Sequence, residues 1–216
     1  METKINYHKE ALKIIKQIEG TRPKLLAHVC CGPCATYPIK FLNDYFDVTL
    51  IYSNSNIYPK EEYEKRLLET QKFLDGFNKE YSSEIKLIVP NYDEQSFQEK
   101  LKQLADEPEG GKRCLICYHQ RLMEGFRYAS EHGFNYFTTV MTISPHKDGQ
   151  ILNKIGKQLQ TTFPNVTYFV SDYKKDGGFY KANEMSRHYH LYRQNYCGCR
   201  FSFKQMLKRV DEQKES

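Results

Sequence analysis

Leu25-Leu26-Ala27-His28-Val29-Cys30-Cys31-Gly32-Pro33-Cys34 is the stretch that decides the fold: an apolar run of strand length stops at cysteine, glycine and proline, where a helix should begin. Short runs of the same kind return at Val48 to Tyr52, Ile85 to Val89, Tyr136 to Met141 and Val166 to Val170. They are β-branched or apolar throughout, which suits strands covered on both faces. Between them lie helical stretches at Glu61 to Glu80, Ser96 to Leu104, Gln120 to Glu131 and Gln150 to Gln160. On the first of these, Leu67, Leu68, Phe73, Leu74 and Phe77 recur at roughly helical period. Alternating strand and helix predict an α/β fold: one Rossmann-like domain over residues 1–216, with a doubly wound, mostly parallel sheet and a helical C-terminal part from about residue 180. Ligands of such folds gather at the carboxyl ends of the strands. Cys30 ends the first strand, Asn54 and Asn56 follow the second and Ser144-Pro145-His146 follows the fourth, so three motifs point at one edge.

All seven cysteines fall in three tight clusters: Cys30-Cys31 with Cys34, Cys114-Leu115-Ile116-Cys117, and Cys197-Gly198-Cys199. A lone cysteine usually serves as a small buried hydrophobe, but clustering points instead to metal or redox chemistry. An odd count in a chain of 216 residues argues against a disulfide scaffold. The N-terminal Met1-Glu2-Thr3-Lys4-Ile5-Asn6-Tyr7-His8 has no apolar run of the length an export signal needs, so a reducing compartment, the cytoplasm, is expected. Adjacent Cα atoms lie about 3.8 Å apart, below the usual disulfide minimum of about 4.4 Å, so Cys30 and Cys31 suit ligation better than pairing. The three-residue offset of Cys114 and Cys117 places two thiolates on one side of a turn, as in iron–sulfur sites, zinc sites and redox dithiols alike. Gly198 lets the chain fold tightly enough to bring Cys197 and Cys199 together; the small ring they would close is strained and hence easily reduced.

No window approaches eighteen uncharged apolar residues, so nothing is expected to span a membrane. The formal charge of +5 permits a polyanionic partner without demonstrating one. Seventeen tyrosines and thirteen phenylalanines with no tryptophan are mostly core rings by expectation, not base-stacking platforms. Asp106-Glu107-Pro108-Glu109-Gly110-Gly111-Lys112 is the clearest loop and delivers the chain to Cys114. Lys208 to Ser216 reads as a fraying, charged helix end.

At these residues the chain resembles the QueH family, the cobalamin-independent epoxyqueuosine reductases. The resemblance covers nearly the whole chain and rests on five ordered motifs: His28 to Cys34; Tyr52-Ser53-Asn54-Ser55-Asn56-Ile57-Tyr58-Pro59 with Glu62-Tyr63 and Arg66; Arg113 to Tyr118 with Arg121-Leu122; Thr138-Thr139 with Ser144 to Lys147; and Lys174 to Gly178 leading to Tyr192 to Cys199. It implies a fold related to the nucleotide α-hydrolase-like enzymes, a [4Fe-4S] cluster, and removal of the epoxide oxygen from epoxyqueuosine at the wobble position of tRNA. Carried onto this chain, it implies Cys30, Cys31, Cys114 and Cys117 as cluster ligands and Cys197 with Cys199 as a redox-active dithiol. It also implies a second, mononuclear iron. Cys34 is the candidate to help bind that iron, being one thiolate more than a single four-iron cluster takes.

Turning an epoxide into an alkene takes two electrons and two protons and releases water, so the site needs an electron route, a group that activates oxygen and proton donors. An iron with an open position can take the oxygen, and an electron donor of unknown identity must feed the site. His28, His146 and Tyr118 are the candidate proton donors, although a histidine inside a strand more often serves the core. Arg66, Arg113, Arg121, Lys147, Lys174 and Arg193 form a phosphate-contacting set if they share a face; taken singly, each is expected as a solvated surface residue. Asn54, Asn56 and His146 complete the candidate substrate-binding set with Arg66, Arg121 and Arg193, unless the two asparagines only cap the helix near Pro59. Gly177-Gly178 either lets backbone approach RNA or forms a turn.

Two rivals remain. An ATP-dependent tRNA thiolase of the PP-loop type needs small residues cradling pyrophosphate after the first strand, where this chain has Cys30-Cys31-Gly32-Pro33-Cys34 and Pro33 removes a backbone donor. A zinc-stabilised, non-catalytic tRNA-binding module leaves Cys197-Gly198-Cys199 unexplained.

Overall fold

The computed structural model describes residues 4–214; Met1 to Thr3 of the N-terminal reading, and Glu215 and Ser216 of the charged C-terminal one, lie outside the described residues. The chain runs α1 (Tyr7–Gln17), β1 (Lys24–His28), α2 (Gly32–Asn43), β2 (Asp47–Ile51), α3 (Lys60–Tyr81), β3 (Lys86–Ile88), α4 (Glu94–Glu99), α5 (Lys112–Glu131), β4 (Tyr136–Thr139), α6 (Gly149–Gln160), β5 (Thr167–Tyr168), α7 (Gly178–His188) and α8 (Arg200–Lys214). All strand pairings are parallel and the sheet order is β3-β2-β1-β4-β5. From β1 the chain builds outward through β2 to β3, then returns to β4 on the other side. With right-handed crossovers this puts α2 and α3 on one face and α5 and α6 on the other, as their mutual packing shows. The order reverses between β1 and β4, where His28 stands opposite Thr139. That switch point opens the crevice in which the candidate site lies.

The expected elements appear with instructive changes at their ends. Leu25, Leu26, Ala27 and His28 are wholly buried, the continuous pattern of a central parallel strand. Phe73, Leu74 and Phe77 of α3 are core residues, but Leu68 is 69% exposed and falls off the apolar face assigned to it. The run from Tyr136 leaves the sheet at Thr139, whose hydroxyl accepts the Met141 amide, and Val140–Ile143 coil into a 3-10 turn that aims Ser144 to Lys147 at the crevice. The stretch from Ser96 to Leu104 divides into α4, which Asp93 caps by accepting the Ser96 amide, and a 3-10 turn over Lys102–Leu104. The last strand shrinks to Thr167–Tyr168 at the sheet edge.

Helix α5 begins at Lys112, eight residues before the expected Gln120, so Cys114 and Cys117 stand one turn apart on a helix. Sequence patterning also passed over α1, and it marked only the entrance of α2. Pro33 is harmless in the first turn of α2, where its missing N–H would have no intrahelical partner, but Pro38 lies inside and leaves the Cys34 carbonyl without its helical donor. The C-terminal part is not continuously helical: residues 189–199 between α7 and α8 are an irregular arm. Gly177 and Gly178 make the turn into α7: Gly177 has φ +69°, and a Cβ on Gly178 would collide with the Tyr173 carbonyl oxygen.

Candidate active site

Leaving the sheet after β1, the backbone is extended at Cys31 and enters α2 at Gly32, where a Cβ would meet the Glu69 carbonyl oxygen of α3 at 2.6 Å. This close approach holds the first turn of α2 against α3 and fixes where its thiols point. The sulfurs of Cys30, Cys31 and Cys34 lie within 4.8 Å of one another, and among the described residues this is the one cysteine, histidine or carboxylate group of three or more so gathered. The Sγ atoms of Cys30 and Cys31 are 3.9 Å apart, too far for a bond, and all seven cysteines are free thiols. Hydrogen bonds from Cys31 and Cys34 pull the Cys30 thiol well below its ordinary range. Donating to Cys30 in turn pushes Cys31 up to about 12 and Cys34 well above the usual value. The carboxamide of Gln194 donates to Cys31 Sγ at 3.2 Å. A thiolate steadied by two neighbouring thiols is the form that binds metal, so the triad fits a metal centre.

Cys114 and Cys117 do not join the triad at that distance, but they share its surroundings. Burial pushes Cys117 up to about 12, the nearby Arg121 guanidinium opposes that rise, and Cys197 and Cys199 lie close enough to act on both thiols of α5. The amide of Gly110 reaches Cys114 Sγ at 3.2 Å, so the expected loop ends on the sulfur.

The third cysteine cluster is positioned by α3. Along one stripe of that helix, Lys72 donates to the His190 carbonyl (2.7 Å), Glu69 accepts the Tyr192 amide (2.8 Å), and Arg66 donates to the carbonyls of Cys197 (3.0 Å) and Tyr196 (3.2 Å). Glu62 closes the stripe with an ion pair to Arg66 Nε at 2.7 Å. Gly198 has φ +126°, and a Cβ there would sit 2.9 Å from Arg66 Nη1, so the tight turn does require glycine. Beyond it, Ser202 donates its amide to Cys199 Sγ at 3.4 Å, and Arg200 pairs with Glu94 at 2.9 Å to seat α8 on α4. Arg66 is 2% exposed, and breaking a buried pair costs about 3–5 kcal/mol. Arg66→Met is therefore expected to lower the melting temperature by about 6–20 °C in a chain of this size. An unchanged thermal midpoint would remove Arg66 from its anchoring role.

Two of the three clusters line one cavity of about 550 Å³, and Arg121, the neighbour of Cys117, lines it as well. Its wall carries Cys30, Cys34 and Cys197, the cations Arg66, Arg121, Lys147 and Arg209, and the single carboxylate of Glu109. Two wall atoms, Asn56 Oδ1 and Arg121 Nε, are buried without a partner. Such atoms cost about 1–3 kcal/mol each when left unmet, so the cavity is shaped for a polar occupant.

Several sequence expectations change here. Arg66, Arg113 and Arg121 are buried, not solvated: Arg113 donates to the carbonyls of Leu104, Ala105 and Glu107, and Arg121 to Asn54 Oδ1. Lys174 bonds the carbonyls of Thr142 and Lys147, which leaves Arg193 as the exposed member of that set. Neither asparagine caps a helix, since Pro59 precedes α3; Asn54 bridges the Val29 carbonyl and Arg121. His28 is a buried, neutral imidazole with both ring nitrogens engaged. Its Nε2–H donates to the Ser53 carbonyl, Nδ1 accepts from Thr139, and burial lowers its pKa to about 3. Burial raises Tyr118 as well, so it keeps its proton, while His146 stands exposed on the cavity wall.

Comparison with known proteins meets this arrangement directly: a family model described as epoxyqueuosine reductase QueH matches residues 25–205. The chain belongs to the QueH family. The QueH of Staphylococcus epidermidis is 42% identical over 203 residues, covering 92% of this chain and 85% of that protein. The QueH of Streptococcus pyogenes is 39% identical, covering 93% and 79%, and that of Thermotoga maritima 31%, covering 88% and 94%. The QueH match takes in every cysteine and the opening turns of α8. From that helix Ser202, Gln205, Met206 and Arg209 line the cavity, residues that sequence reading passed over. Their spacing of three and four was the available signal; only Arg209 falls within the stretch read as a fraying, charged helix end.

Proposed function

We propose that this chain is an epoxyqueuosine reductase that converts epoxyqueuosine to queuosine at the wobble position of tRNA, with an iron–sulfur group held by its cysteines. The observation that carries the reading is one cavity at the sheet's switch point, lined by cysteines of the first and third clusters and by four cations against one carboxylate, with Cys117 beside the lining Arg121. PP-loop chemistry lacks support, because Pro33 occupies the turn where pyrophosphate would need amides.

Cys30, Cys31, Cys114 and Cys117 are the proposed cluster ligands, and Cys34, which shares the triad, the proposed ligand of a second iron. Bound there, the cluster supplies single electrons and the second iron a Lewis acid for the epoxide oxygen. The chain's residues supply the rest. Arg66 fixes the backbone of Tyr196 and Cys197, and closure of the dithiol of Cys197 and Cys199 to a disulfide releases the two electrons and two protons that the reaction consumes. An external electron donor restores the thiols. Arg121, Arg193, Asn54, Asn56 and His146 are the proposed substrate contacts. No helix among the described residues is long and apolar enough to cross a membrane. The helices beyond residue 178 are proposed to belong to the same domain as the sheet, since α7 packs on α2 and the arm on α3.

The test is anaerobic reaction with epoxyqueuosine-bearing tRNA and a chemical reductant, followed by mass spectrometry of the wobble nucleoside. Queuosine should appear, and RNA affinity should fall with salt at a slope of about −0.7 to −0.9 per phosphate neutralised. Unchanged epoxyqueuosine after reaction with fully metal-loaded protein would refute the activity; salt-independent affinity would refute the RNA substrate.

A further inference from the structure

A second concavity of about 200 Å³ adjoins the main cavity and shares Cys34, Ser144, His146 and Gln194 with it. Those shared side chains form the wall between it and the main cavity. Its far wall is the opening turn of α7, where Phe179, Ala182 and Asn183 stand on one face at the i, i+3 and i+4 spacing. Phe179 is 38% exposed although it is a large apolar ring beside a polar cavity. Arg193, exposed on the irregular arm, closes the opposite side. The floor is fixed, because Gly178 lies so tightly against Tyr173 and Tyr37 that the start of α7 has no room to shift. An aromatic face, a guanidinium and a carboxamide around a space smaller than the roughly 300–1,000 Å³ of a drug-sized pocket suit one planar base with its phosphate.

We propose that this hollow is a subsite for the nucleotide next to the one being reduced, with its base stacked on Phe179, its edge read by Asn183 and its phosphate met by Arg193. The inference rests on the RNA substrate reading. A strand whose modified base enters the main cavity must pass its neighbour through whatever lies alongside, and this hollow adjoins that cavity. Stacking tolerates any base while hydrogen bonding to an edge does not, so the pair Phe179 and Asn183 would combine general affinity with a preference at one neighbouring position.

The test measures binding of an anticodon stem–loop RNA at fixed salt, by anisotropy, to the wild type, Phe179→Ala and Phe179→Tyr. Matching RNAs carry an abasic sugar on one side or the other of the modified position. Phe179→Ala should weaken the intact RNA by about tenfold or more, and Phe179→Tyr should retain affinity because the ring remains. One abasic substitution should weaken wild-type binding by a similar factor and cost Phe179→Ala nothing further, the non-additivity expected of groups in contact. Equal affinities of wild type and Phe179→Ala, or losses that multiply for both abasic RNAs, would overturn the subsite while leaving the reductase reading intact. Loss of affinity in Phe179→Tyr equal to that in Phe179→Ala would also overturn it, since stacking would then not be the cause. If the wild type binds no RNA, the substrate reading fails and the subsite with it.

Discussion

Cys30→Ser is expected to purify colourless under anaerobic conditions, with bound iron reduced by roughly tenfold or more and no queuosine formed. The scale follows from metal sites in which even the groups behind a ligand are worth about 10–100-fold in affinity. Cys30 is the member of the triad whose neighbours donate to its sulfur and draw its proton off, so its loss removes the thiolate rather than one thiol among several. Serine nearly matches cysteine in volume, and circular dichroism should be unchanged. Cys117→Ser, one turn into α5 from Cys114, should likewise lose most of its iron if the proposed quartet holds one cluster. Wild-type iron in Cys30→Ser would remove the triad from the metal site, and a colourless, zinc-loaded wild type would sink the iron reading altogether.

For Cys199→Ser the expected result is the opposite division of properties: full iron, undiminished RNA binding, and turnover lowered by at least about 10²-fold, the scale of a single positioned proton donor. The variant keeps Arg66 bonded to the carbonyls of Cys197 and Tyr196, so the arm keeps its place on α3. What disappears is the second sulfur needed to close the ring. Wild-type turnover would refute the dithiol role. Loss of iron would place Cys199 in the metal site and release a thiolate of the first motif to the second iron.

The α/β order, the sheet edge at which the motifs converge and the cysteine clusters were legible in the sequence because each is written in local pattern: continuous apolar runs, breakers after them, and short spacings. Side-chain burial was not. Arg66 and Arg113 look like ordinary surface cations along the chain, and only the arm from residue 189 and the loop from Leu104 to Glu107, folded over them, supply the carbonyls that take them inside. The stripe Glu62, Arg66, Glu69 and Lys72 has helical spacing, yet a charged stripe reads as a solvated face until its partner is known. Pro33 and Pro38 hid α2, and a glycine-rich loop hid the first two turns of α5, which carry Cys114 and Cys117. His28 is the converse case: its place inside a strand favoured the core reading over the proton donor, and its two ring partners agree.

The arm and α8 wall off a cavity whose first thiols belong to β1 and α2, so the pieces of one site are made far apart in time. Roughly 160 residues separate Cys34 from Cys197, which at about 5–20 residues per second is on the order of 10–30 s of synthesis. During that interval the triad is present without the Gln194 amide that steadies Cys31 and without the wall that Tyr196, Cys197 and Arg209 provide. The nascent chain thus passes through a stage at which the triad lacks its C-terminal cover, and on the proposed metal-centre reading the order of translation makes that stage the natural opening for loading metal.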